Sequence, residues 1–583
     1  MKRFGRFFLL LAAACVVSIA GACASSSSSS ASAADDDDDA TPVSDDDDDN
    51  DASPNDDDDD DNPPAALTIK PAFPPTAAPG RMYGYQFVAE GGRPPYKDWR
   101  VVHGHLPPDM TLDADTGVLS GTARKEERLY YFIVQAGDSS SPPQRALETF
   151  GIRVGDASRP GPLLQKARYY AEIYLARHNM DGLTVTADQP DDPNGDYWFS
   201  DLGDAAFIHG NTSASAAFRY AVEPSDETLQ YAQLHARGLR MLSDVIGIPG
   251  LLGRSYAPAD APFNPEQFQQ FYPQTTNWHG VGQYSNYYWG GNVSIDQYSG
   301  AIVGMSLLYD LVPDDSVRGV MRKSITDVAD YLWAHGLRVY DPDGTPTTYG
   351  DFRATWIDGF PMFNGVSAAA CLAWFKLAHY VSGDAKYEEI YETLAYDQAY
   401  AWILQRFMWP YLGYETVNYN VYMAFENMFV LTRLETDPAL HKIYSDTFAD
   451  ALWQSGPLHG LAWRRAQAEA NPTYSPWYMS ATGQREPMAI WNSIWQMDVF
   501  LNAPLRDHVV QNSTNPDIDK NPEMPTEALY PLPANLRVPD MCIWHRNPYS
   551  LDGGADDGRE RSGHDYMLPY WMGRYYGYIN EEW

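Results

Sequence analysis

From Leu163 to the C-terminus the apolar residues recur with a helical period, and the links between helical stretches alternate between very short and very long. Helices are expected near 163–179, 202–220, 225–245, 296–312, 315–336, 365–382, 385–408, 420–434, 438–455 and 487–502, with a shorter one near 566–576. Links after 220, 312, 382 and 434 have two to four residues, whereas those before 202, 296, 365, 420 and 487 run from about a dozen to fifty. A short link makes its two helices antiparallel neighbours. Strict alternation therefore predicts repeated antiparallel hairpins with every long connection gathered at one end. Eleven or so helices match six hairpins closed into a ring.

Ahead of the helices, Met1 to Ala22 has a basic start (Lys2, Arg3, Arg6), an apolar run from Phe7 to Ile19, and small residues before Cys23. The run is too short to cross a bilayer comfortably, and residues 1–22 are expected to be a signal peptide. The segment resembles the bacterial lipobox, with Ala20 where Leu is usual. That resemblance implies a lipoprotein with lipidation at Cys23, a membrane anchor and an extracytoplasmic location, at the cell surface or in the periplasm. Residues 23–64 are nearly all Ser, Ala, Asp, Asn and Pro, including Asp35 to Asp39, Asp45 to Asp49 and Asp56 to Asp61. Such a stretch has no apolar surface to offset chain entropy, and its like charges repel, so it is expected to be a disordered tether.

The first 64 residues hold 17 of the 78 acidic and 3 of the 41 basic side chains, leaving −23 of the −37 net charge on the remainder. An acidic body argues against nucleic acid as a partner. Seventeen Trp and forty Tyr exceed what a core needs, and flat rings with a polar edge are surfaces on which sugars stack, so a poly- or oligosaccharide is the expected partner.

Residues 65–157 alternate with period two in Tyr83 to Val88, Tyr130 to Val134 and Thr149 to Val154, which predicts a small β-sandwich. The run from Leu106 to Thr122, with Asp115-Thr-Gly117 as a tight turn, resembles the signature of immunoglobulin-like, cadherin-like domains of bacterial surface proteins. Some members of that superfamily bind calcium, for which Asp138 is the candidate here, with a surface turn as its plainer role. No other cofactor is expected. Residues 160–583 resemble the (α/α)6 toroid of the six-hairpin glycosidase superfamily, on Asp201-Leu-Gly-Asp-Ala-Ala-Phe-Ile-His-Gly-Asn211, Asp296-Gln-Tyr-Ser-Gly300 and Asp565 to Gly577. The expected fold is thus a small all-β sandwich followed by a large all-α toroid, whose long connections would build an active site at one mouth.

Those connections are dense in acids and aromatics. Glycoside hydrolysis needs two carboxyl groups facing each other across the sugar. Asp296, opening a helix beside an aromatic-rich loop, is the first choice, with Asp204, Asp358, Glu415 or Glu486 as its partner. Helix capping competes as a role for Asp296 and Asp204. A uronic-acid lyase would instead use His279 and Tyr284 for proton transfer, with Asn211 and Arg353 or Arg485 neutralising a carboxylate. Trp198, Trp278, Trp289, Trp356, Tyr419 and His209 complete the expected sugar-binding set. Zinc is not expected, because Cys371, Cys542 and His545 form no paired ligand motif. A non-catalytic glycan-binding lipoprotein is the reading from outside enzymology.

Overall fold

The computed structural model describes residues 65–583 apart from 125, 189–197, 201, 263–276, 358–359, 409–416, 450–473, 502–504, 507, 523, 531, 538–547 and 557. The signal peptide, Cys23 and the tether lie outside the described residues.

The N-terminal module has eight strands: β1 (Thr68–Ile69), β2 (Met82–Gln86), β3 (Ala89–Glu90), β4 (Lys97–Gly104), β5 (Met110–Leu112), β6 (Val118–Thr122), β7 (Arg128–Gly137) and β8 (Arg145–Val154). Antiparallel sheets β4-β7-β8 and β2-β6-β5 enclose a core in which Phe87 lies 4.5 Å from Phe150 and 6.5 Å from Trp99. The β5–β6 turn forms as its sequence predicts: Asp113 accepts the Thr116 N–H and hydroxyl, and Gly117 takes φ 72° beneath the Trp99 ring. Asp138 is a turn holder. It accepts hydrogens from Arg93 N, Ser140 N, Ser140 Oγ and Gln144 N.

Thirteen helices follow among the described residues: α1 (Pro162–Arg177), α2 (Ala205–Val222), α3 (Asp226–Asp244), α4 (Ile295–Leu311), α5 (Asp315–Ala334), α6 (Gly365–Ser382), α7 (Ala385–Glu392), α8 (Tyr400–Phe407), α9 (Val417–Leu434), α10 (Pro438–Thr447), α11 (Tyr474–Thr482), α12 (Pro487–Val499) and α13 (His564–Tyr575). Helices α2, α4, α6, α9, α11 and α13 pack in that order and close on themselves, α13 against α2. This is the inner ring of an (α/α)6 toroid. Outside it lie α3, α5, α7 with α8, α10, α12 and α1, the last pairing with α13 through the Tyr566 hydroxyl on the Leu163 carbonyl at 2.9 Å. The inner helices are parallel, since their C-terminal halves meet: Tyr309 with Val381, Arg433 with Asp310, Phe218 with Tyr575.

Two details depart from the pattern. The single helix expected at 385–408 is α7 and α8, split at Ala399 with φ 58°. Helix α11 is absent from the expected set, because its nine residues are too few to show a period and carry Pro476. Its presence makes 483–486 a short turn rather than the end of a long connection.

The sandwich docks along α12. His103 lies edge-on to Trp491 at 4.2 Å, the Trp491 Nε1–H donates to the Tyr131 carbonyl, and Arg485 pairs with Glu148 at 2.8 Å. Trp583 is buried against Gly151 and Phe73.

Candidate active site

Every described long connection enters the N-terminus of an inner helix, so the mouth is the end where α2, α4, α6, α9, α11 and α13 begin. Small sheets line it. One joins 198–200, 186–188, 559–561 and 505–506; another joins 256–258, 287–290 and 277–279.

Asp204 and Asp296 meet here. Asp204 precedes the first residue of α2 and makes no capping hydrogen bond, while Ser294 holds the capping position of α4 and leaves Asp296 inside its first turn. Gln297, fully buried, links the two helix starts: its side-chain Nε2 donates to Asp204 Oδ1 at 3.3 Å, its backbone N–H donates to the neighbouring Asp296 Oδ1 at 2.9 Å, and its Oε1 accepts from Phe207 N at 3.1 Å. Ser294 Oγ also donates to Asp296. Burial, and then the charge of Asp204, hold the Asp296 carboxyl above the usual carboxylate range, against the opposing pull of Arg254. Arg254 braces both loops, donating to the Asn292 carbonyl before α4 and the Gly203 carbonyl before α2.

A third acid completes the cluster from α9. Glu426 is fully buried, its Oε1 accepts from Asn211 Nδ2 at 2.8 Å, and burial followed by the Asp296 charge raises it well above the ordinary glutamate range. Asn211 is itself fixed by the Tyr422 hydroxyl at 2.9 Å. Glu426 is among the acids expected from sequence to line the funnel, whereas Gln297 and Arg254 escaped the sequence reading as site residues. The signal for Glu426 is a polar pair set among apolar helix neighbours, Glu426-Asn427 between Phe425 and Met428.

Other expected residues scatter. His209 is in the core, not at the mouth: its Nδ1 meets Thr184 Oγ1 at 3.0 Å, its Nε2 meets the His235 carbonyl at 3.1 Å, and burial pushes it down to about 4. Asn211 also serves inside the ring rather than on open surface. Trp289 is covered by protein, stacked against Trp278 at 6.0 Å, because strand 287–290 is central in its sheet. Trp278 is half-buried and keeps an open part, as do Trp198 and Trp356. Arg353 is spent on Asp351 at 2.6 Å and on the Trp356 ring at 4.9 Å. His279 is exposed beside Tyr288, and Tyr284 packs edge-on to Tyr287. Tyr419 is exposed on the first turn of α9. Glu486 and Arg485 sit in the short turn at the opposite end, where Arg485 faces the sandwich; the unforeseen α11 is the reason. Asp358, Glu415, Cys542 and His545 lie outside the described residues, and Cys371 is a buried free thiol of α6. A separate cleft of about 460 Å³ lies around Arg168 and Glu223, away from the mouth.

Residues 63–155 match the family model described as "Putative Ig domain". No curated protein matches the chain. Among solved structures, a cellulase of C. cellulolyticum is 9% identical over 73% of this chain and 100% of that one, with a TM-score of 0.34. A polysaccharide lyase is 11% identical over 88% of this chain, with a TM-score of 0.34, and the extracellular domain of protocadherin GammaB4 is 21% identical over 16%, with a TM-score of 0.14. This chain spans 64% of the length of that lyase and 18% of that of the protocadherin. Likenesses this remote assign no reaction to the acids at the mouth.

Proposed function

We propose that the toroid is a carbohydrate-active enzyme, a glycoside hydrolase whose working pair is Asp296 and Asp204. One observation carries the reading: two carboxyl groups flank a buried glutamine at the starts of adjacent parallel helices, and the environment of one favours the proton. In that arrangement Asp296 is suited to protonate a leaving oxygen. Asp204 is suited to activate water or attack the sugar. Trp278, Trp198 and Trp356 offer ring faces near the mouth connections, and Arg254 sets the separation of the two loops. The groups expected of a lyase are dispersed over rim, interior and opposite end. Lipid anchoring through Cys23 is part of the same proposal, with the sandwich as spacer.

Asp296→Asn and Asp204→Asn are each expected to lower release of reducing ends from a polysaccharide panel by about 10²–10⁴-fold, with melting unchanged. Wild-type turnover in both variants would remove the pair from the chemistry. An unsaturated, ultraviolet-absorbing product would replace hydrolysis with elimination. Sugar binding without turnover in the wild type would mark a glycan-binding lipoprotein instead.

A further inference from the structure

Glu426 is ten residues into α9, where the ring is narrow enough for α9 to reach both α2 and α4. Its Oε1 is fixed by Asn211 from α2, while its Oε2 is buried and has no partner among the described residues. The next residue, Asn427, donates to Ser299 Oγ at 2.8 Å, one turn below Asp296, and ties the two helices together. Charged and titratable groups stand on each element packed against α9. From α2 and its approach come Asn211 and Asp204; from α4 comes Asp296; α9 itself supplies Tyr422, which is held by Asn211. Helix α11 presents the Trp477 ring, and α6 offers the Cys371 thiol and Lys376, the latter paired with Glu435. Tyr444 of α10 bonds Tyr391, and Arg433 of α9 is paired with Asp310. Each of these cations is thus matched by its own acid, and Arg254 braces the loops beside Asp296.

We propose that Glu426 is a positioning residue of this site, held as a neutral acid at the floor of the ring, where it fixes how many negative charges the carboxyl cluster carries. A carboxylate taken from water with a single neutral donor is costly, and a neighbouring negative charge adds to that cost. The Asp204 charge thus adds to burial in holding the proton on Asp296, and the Asp296 charge does the same for Glu426. With Glu426 neutral, proton loss from Asp296 is opposed by one neighbouring carboxylate rather than two. The inference rests on the reading of Asp204 and Asp296 as the working pair only for its effect on turnover. The protonation itself is independent of it.

Infrared difference spectra of the full chain in D₂O provide the test. At pH 7 the wild type minus Glu426→Gln spectrum is expected to show the carbonyl band of a protonated carboxyl; no such band overturns the proposal. In Asp296→Asn, which keeps Glu426, that band is expected to titrate away at lower pH than in wild type, because the opposing charge is gone. An unmoved midpoint overturns the coupling. Where sugar turnover is measurable, Glu426→Gln is expected to leave the alkaline limb of the pH profile where wild type has it, since glutamine copies the neutral acid and adds no charge beside Asp296. A tenfold or larger loss at neutral pH with unchanged melting would overturn the positioning role. Because the spectra need no substrate, they stand even if the Asn variants show that the pair is not catalytic.

Discussion

His209 shows how burial alone turns a plausible catalytic side chain into a structural one. Its ring stacks on His235 at 5.1 Å with an interplanar angle of 17°, and neither imidazole can hold a proton there cheaply. In the unfolded chain His209 would titrate near the ordinary value of 6.5, whereas in the fold it is pushed down to about 4. Between those values the unfolded chain binds a proton that the native state rejects. The contribution of this group is therefore full above pH 6.5 and is lost as pH falls toward 4, by roughly 3 kcal/mol. Urea unfolding at pH 4.5 and 7.5 should show that decline, and His209→Gln should flatten it; an equal slope in both proteins would refute the assignment. Sequence could not separate His209 from His279, since a lone imidazole carries the same formula in core and loop. Nor could it reveal that Trp289 is covered, because coverage comes from strands distant in the chain.

At the scale of elements, the close approach of α2 and α4 brings Asp204 and Asp296 together. Gly210, Gly300 and Gly304 form the seam: a Cβ on Gly210 would lie 2.0 Å from the Gly300 carbonyl oxygen, and one on Gly300 would lie 2.5 Å from the Phe207 carbonyl oxygen. Both obstacles are backbone, so a methyl group must push the helices apart. Gly210→Ala is expected to cost about 1–3 kcal/mol in thermal unfolding even though alanine is the better helix former by about 1 kcal/mol. It should also reduce any activity of the acid pair, through a change in separation rather than removal of a group. A neutral or stabilising result would show that the seam yields. The hairpin series was legible because connection length and helical period are local properties, and Asp204 and Asp296 were legible because they stand at helix starts after long connections. Helix α11 was not: it has only nine residues and carries Pro476, so no helical period shows. Missing it displaced Arg485 and Glu486 to the wrong end.

At the scale of the whole molecule, the toroid and sandwich share Trp583, Trp491 and the Arg485–Glu148 pair, so the sandwich is a fixed flank of the helical ring. No helix among the described residues is long and apolar enough to cross a membrane. The proposed lipid anchor is a separate matter and rests on Cys23. Cys23→Ser is expected to move the full chain from the membrane fraction to the soluble fraction and to abolish fatty-acid labelling; retained labelling would place the acyl chain elsewhere.

The common direction of the six inner helices has an electrical consequence. Each helix starts with amide hydrogens that its own backbone leaves unbonded, and their dipoles add in one sense. The helix starts therefore lend a partial positive potential to an entrance whose own connections are rich in acids, on a body that carries −23. An anionic polymer would be repelled at range by that charge, whereas a neutral glycan would meet no such barrier.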